Sequence, residues 1–196
     1  MNNTLGFKHD KPLRVIIQKD IPETRIKVIR NAWNRLKISE KNLIKGIVFE
    51  KFSINDYGDS VRLGSFSNET KHIKIFDKES DSSLEDSFFH ELGHAVFHKH
   101  MDNLAKHYHL LETMYPITQY HHDNLMKYSK SLQSNYENPS EDNSDELIKQ
   151  IRHVKEELFC DMYALNHTSN IDELVLDKYA FKQFNKTFKK ILKEIR

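Results

Sequence analysis

Apolar positions along the chain follow two rhythms, one in short β-branched runs and the other in residues spaced three and four apart. Residues 13–18, 47–52, 61–66 and 72–76 are short runs rich in Val, Ile and Phe, and they predict four strands. Between the first two, Pro22-Glu-Thr opens a helix with proline near its first turn. Ile26, Ile29, Ala32, Trp33 and Leu36 then make one apolar stripe, with Trp33 read as core packing. Gly64 interrupts the third strand and predicts a bulge or a place where another group comes close to the backbone.

Three later stretches carry the helical rhythm. Residues 83–98 set Leu84, Phe88, Phe89, Leu92, Ala95, Val96 and Phe97 around a polar trio, which predicts a buried helix whose charged members need partners. Residues 155–167 place Leu158, Phe159, Met162 and Leu165 on one face. After a break near Ser169 to Asp172, residues 171–195 repeat the pattern with Leu174, Phe184, Phe188, Ile191 and Leu192 among lysines. That predicts one or two terminal helices that pack as core rather than against a membrane. Residues 133–145 have almost no apolar side chains and predict a mobile surface insertion just before the second of these helices. Residues 101–132 are rich in histidine and tyrosine, including His107, His109, Tyr120, His121 and His122. Their spacing fits no compact ligand set, so they are read as helix surfaces and cleft walls.

Composition narrows the classes. At 196 residues the chain is long enough for one domain with a real core, and 38% apolar with 30% charged residues is ordinary for a globular protein. The net charge of +1 implies no polyanionic partner, so nucleic acid is not expected. One cysteine, Cys160, excludes an internal disulfide and a thiolate zinc cluster, and it reads as buried core. No apolar leader opens the sequence and nowhere do 18 apolar residues run together. The expectation is therefore no membrane span, and a cytoplasmic location or export without a Sec signal.

Candidate chemistry concentrates at His90-Glu-Leu-Gly-His94. On a helix His90 and His94 lie one turn apart on one face, so two imidazoles can share one metal ion. Glu91 follows His90 directly, where its carboxylate can reach an attacking water rather than the metal. A hydrolytic Zn2+ site needs a third protein ligand. Glu157 is the best-placed donor, and Asp161, one turn on, can accept the free N–H of a ligand imidazole and fix its tautomer. His100 is the rival third ligand, because His90, His94 and His100 match H-E-x-x-H-x-x-G-x-x-H except that Phe97 replaces the glycine. With Phe97 the helix should continue and carry His100 about 9 Å beyond His94 and off its face. His98 lies on the correct face but too far along for a shared tetrahedron. For the donor to the oxyanion, His153, Tyr163, His167 and Tyr120 remain open.

These residues resemble two families. His90-Glu-Leu-Gly-His-Ala-Val96 with Glu157-Leu-Phe-Cys-Asp-Met-Tyr163 downstream is similar to the anthrax lethal factor catalytic domain and the Pro-Pro endopeptidases. That resemblance implies His90, His94 and Glu157 as zinc ligands, Glu91 as general base and Asp161 as the supporting acid. Those enzymes carry a tyrosine about two turns before the glutamate ligand. Here Gln150 stands in that position, with His153 the nearest polar substitute. The same two stretches also resemble the intracellular ImmA/IrrE peptidases, which cut transcriptional repressors and imply the same three ligands.

The expectation is a single α+β zincin-like metallopeptidase domain. It has a small mixed sheet with a backing helix and an active-site helix over about residues 12–100. A helical insertion and loop cover about 101–146, and the third-ligand helix with the terminal helices about 147–196. Segment 61–76 is expected to supply an edge strand that receives a peptide substrate as an added antiparallel strand. The expected activity is Zn2+-dependent hydrolysis of a peptide or protein, with Glu91 as general base and His153 as a further catalytic group. An ImmA/IrrE-like repressor peptidase and a non-catalytic binding module stabilised by zinc are the alternatives.

Overall fold

The structure, a computed structural model, describes residues 2–51, 64–77, 81–104, 144–168 and 178–195. The chain divides into two compact units, Met1–Lys99 and His100–Arg196. Mixed strands and helices make it an α+β protein with one small mixed sheet.

The first unit opens on a hairpin, β1 (Asn2–Thr4) and β2 (Phe7–His9), that the hydrophobic pattern did not predict. Its two-residue turn places Leu5 and Gly6 at φ of 51° and 81°, the doubly left-handed geometry of a tight hairpin turn. Polar groups tie this hairpin to helix α1 (Glu23–Arg35). Trp33 Nε1–H donates to the Lys8 carbonyl at 3.0 Å, and Asn34 donates to the Gly6 carbonyl at 3.1 Å while accepting from the Lys8 N–H at 2.8 Å. Phe7 is fully buried between Trp33 and Phe49, at ring distances of 6.5 and 6.4 Å.

A four-stranded sheet follows, made of β3 (Arg14–Ile17), β4 (Gly46–Lys51), β5 (Gly64–Ser67) and β6 (His72–Asp77). Their order is β3-β4-β6-β5, with β3, β4 and β6 parallel and β5 antiparallel to β6. Parallel neighbours need a crossover, and α1 with the short helix α2 (Ile38–Lys41) supplies it between β3 and β4. Ile47, Phe49, Ile73 and Ile75 are buried, as the central strands of a sheet with a packed face require. Arg25 on α1 donates through Nε to Asp77 Oδ1 at 2.6 Å, tying the helix to the end of β6.

Strand β6 leads into helix α3 (Asp81–Leu104), which carries the His90–His94 motif. Leu84, Phe88, Phe89, Leu92, Ala95, Val96 and Phe97 are all buried, so the helix is enclosed round much of its girth as its composition predicted. Arg35, in the last turn of α1, pairs with Glu85 and lies over the Phe89 ring at 5.7 Å. Helical dihedrals run through Phe97, as expected for a chain without glycine there, and depart at His100 (φ −119°, ψ 15°). The boundary between the units falls at that residue.

In the second unit, helix α4 (Ser144–Thr168) begins earlier than predicted. Ser144 and Asp145, assigned from composition to the polar insertion, form its first turn, since short polar and acidic side chains suit a helix N-terminus. Helix α5 (Lys178–Ile195) buries Phe188, Ile191 and Leu192, and Phe159 of α4 meets Phe188 at 5.6 Å. Phe188, Ile191 and Leu192 of the terminal stretch thus pack as core. No helix among the described residues is long and apolar enough to cross a membrane. The predicted features at residues 61–63, 105–143 and 169–177, Tyr120 among them, lie outside the described residues.

Candidate functional site

Within the first unit, His90 and His94 stand one turn apart on α3 with ring centroids 5.0 Å apart and planes at 74°. Both rings are half-buried. A tetrahedral ion about 2.05 Å from one nitrogen of each ring sits about 3.2 Å from each centroid, which sets the centroids about 5.2 Å apart. The observed spacing therefore suits a shared ion. Soft-to-borderline imidazole donors flanked by a carboxylate also suit zinc by their chemistry.

Glu91 is only 7% exposed, and what it packs against explains Gly64. A Cβ on Gly64 would stand 2.8 Å from Glu91 Cγ and 3.0 Å from Oε1, so the edge strand β5 can lie this close to the acid only because it has no side chain there. The close approach anticipated at Gly64 is an approach by Glu91. Two residues on, Phe66 faces the His98 ring at 6.3 Å, so Gly64 and Phe66 turn the same face of β5 toward α3. Strand β5 has no partner on its outer side among the described residues, which makes it one of the two edge strands of the sheet, β3 being the other. His98 also lies against Phe97 at 6.1 Å, and this ring contact occupies it.

No protein-family model, curated protein or solved structure matches the chain. The functional reading therefore stands on the residues and their geometry.

The other predicted site residues belong to α4 in the second unit. Glu157 is half-exposed, and its Oε1 lies 3.7 Å from Nδ1 of His153, one turn earlier and 59% exposed. Asp161 is half-buried one turn after Glu157. Cys160, the chain's one cysteine, is fully buried. Tyr163 is also fully buried, between Phe159 at 6.1 Å and His167 at 4.7 Å, where it serves the helix core. Thus His90, Glu91 and His94 are gathered on one helix beside one strand, and His153, Glu157 and Asp161 on successive turns of another. Gly64 belongs to the first of these sets as the position that lets β5 lie against Glu91. Its signal was present as a glycine inside a strand, but its neighbour could not be named from sequence.

Proposed function

We propose that the chain is a zinc-dependent metalloendopeptidase. The observation that carries this is the set on α3 and β5: two imidazoles at the spacing of a shared ion, with the buried Glu91 carboxylate beside an edge strand. His90 and His94 would each offer one ring nitrogen, and Glu157 a carboxylate oxygen as the third ligand. Asp161 would accept the second N–H of a ligand imidazole, fixing its tautomer and raising its basicity. Zinc bound there would supply Lewis acidity, polarising the scissile carbonyl and lowering the pKa of coordinated water toward about 7.

The remaining steps belong to the chain's own side chains. Enclosure of Glu91 away from bulk water keeps its carboxylate aimed, so it can take a proton from the attacking water as the water oxygen adds to the carbonyl carbon. When the C–N bond breaks, the same carboxyl group returns that proton to the leaving amine. The outer main-chain groups of β5 would hold the substrate extended as an added strand, with side chains selecting by their alternating faces. His153, next to Glu157 and open to solvent, is the proposed hydrogen-bond donor to the developing oxyanion.

Substituting Glu91 by glutamine tests the assignment, because it keeps the shape and removes the base. The expected result is turnover of a peptide library lowered by at least about 10²-fold with zinc content unchanged. Full turnover in that variant would remove Glu91 from the chemistry. Zinc binding without any turnover by the wild type would leave a binding module stabilised by zinc.

A further inference from the structure

A second recess lies in the first unit, formed where the β2–β3 connection meets the C-terminal end of α1 and the α2–β4 segment. It is a cavity of about 490 Å³, within the range of small-molecule sites. One wall is apolar: Leu13, Trp33 and Ile44 are buried, and Ile38 is 58% exposed at the rim although it is a large aliphatic side chain. The polar wall has four lysines, at positions 8, 11, 41 and 45, against one acid, Asp10.

The cations are not balanced locally. Lys41 Nζ sits over the Trp33 ring at 6.0 Å, and its pKa is pushed down by burial above all, with Lys8 adding to that effect and Asp10 opposing it. A cation whose charge is disfavoured in this way gains most from an anion brought beside it. His9 does not add to the positive field. Its Nδ1–H donates to the Lys11 carbonyl, and burial lowers its pKa, with Asp10 opposing, so the ring stays neutral near pH 7.

We propose that this cavity binds a small organic anion, with its apolar body against the exposed Ile38 side chain at the rim and one carboxylate or phosphate group held by Lys41 and Lys8. The apolar wall accounts for the body and the excess of lysines for the charge. Neither alone would bind well, since a free inorganic anion leaves the exposed Ile38 side chain wet and a neutral ring leaves the lysines uncompensated.

The test is direct because Trp33 is the only tryptophan in the chain and lines the cavity, so its emission reports this site. The intact protein is titrated with phenyl phosphate and with phenylacetate, which separate the two anion types, and with inorganic phosphate and benzyl alcohol as half-ligands. The expected result is a saturable change in Trp33 emission with at least one organic anion, weakened by salt, and at least about tenfold weaker binding of both half-ligands. Lys41→Met, or Lys8→Met should the first variant not fold, should weaken the organic anion by about tenfold, the loss of one charge-assisted hydrogen bond. No saturable change with either organic anion would overturn the proposal. So would benzyl alcohol binding as tightly as the anions, or unchanged affinity in a folded lysine variant.

Discussion

Replacing Gly64 by alanine puts one methyl group where the Glu91 side chain now lies. The new Cβ would stand 2.8 Å from Glu91 Cγ, 3.0 Å from Oε1 and 3.1 Å from the carbonyl oxygen of Lys74. Carbon atoms pack at about 3.5–4.0 Å, so Glu91 must withdraw by about 0.7–1.2 Å from its present 2.8 Å separation. Lys74 belongs to β6, which is paired on both sides, so its backbone has little freedom and the adjustment falls on the Glu91 side chain. Because Glu91 is only 7% exposed, it has little open space to enter and must rotate rather than slide. If Glu91 is the general base proposed above, a displacement of about 1 Å from the reacting water costs on the order of 10²-fold in rate. Overpacking of the strand costs about 1–3 kcal/mol of stability in addition. The assay is kcat on a cleaved peptide together with bound zinc and a thermal melt. We expect kcat down about 10²-fold, zinc content unchanged and a melting temperature lower by a few degrees. A folded Gly64→Ala protein with wild-type kcat would refute the reasoning, as would a loss of rate that merely tracks loss of zinc.

Two further outcomes follow from the described contacts and burial, and a third from the proposed zinc site. Arg25→Met should lower unfolding free energy by about 2–3 kcal/mol in urea melts, because it leaves the Asp77 carboxylate without a 2.6 Å charged partner at the end of β6; a change under about 0.5 kcal/mol would contradict that. His9 has its pKa lowered from 6.5, chiefly by burial with Asp10 opposing, so the folded state disfavours its charged form. Its contribution is present above the unfolded value of 6.5 and is lost as pH falls through the lower folded value, so His9→Gln should flatten the decline of the urea midpoint from neutral to acid pH. An equally steep decline in the variant would remove His9 from the account. Asp161→Ala should weaken zinc about 10- to 100-fold in chelator competition, and unchanged affinity would deny it any contact with a ligand imidazole.

The α3 motif was legible because helical period and side-chain chemistry coincide there: a buried apolar run forces the polar residues His90, Glu91 and His94 onto positions where they need partners. Four strands were also legible, since residues such as Ile47, Phe49, Ile73 and Ile75 are β-branched or aromatic and alternate with less buried neighbours. The N-terminal hairpin was not. Its strands are three residues each and mostly polar, too short for a period, and the left-handed turn at Leu5-Gly6 is marked by one glycine alone. The start of α4 was missed for a related reason, because Ser144, Asp145 and Glu146 satisfy helix-start chemistry while adding nothing to an apolar stripe. The lysine-lined cavity could not be read in advance either, since its walls come from three segments of the chain that only the fold brings together.

The proposed ligand set of His90, His94 and Glu157 is tested most directly by X-ray absorption at the zinc edge on protein loaded with one equivalent of the metal. The expected spectrum shows only nitrogen and oxygen neighbours at about 2.0–2.1 Å, with the outer-shell scattering of two imidazoles. A sulfur neighbour near about 2.3 Å would put Cys160 in place of Glu157, and a protein that retains no zinc would contradict the account altogether.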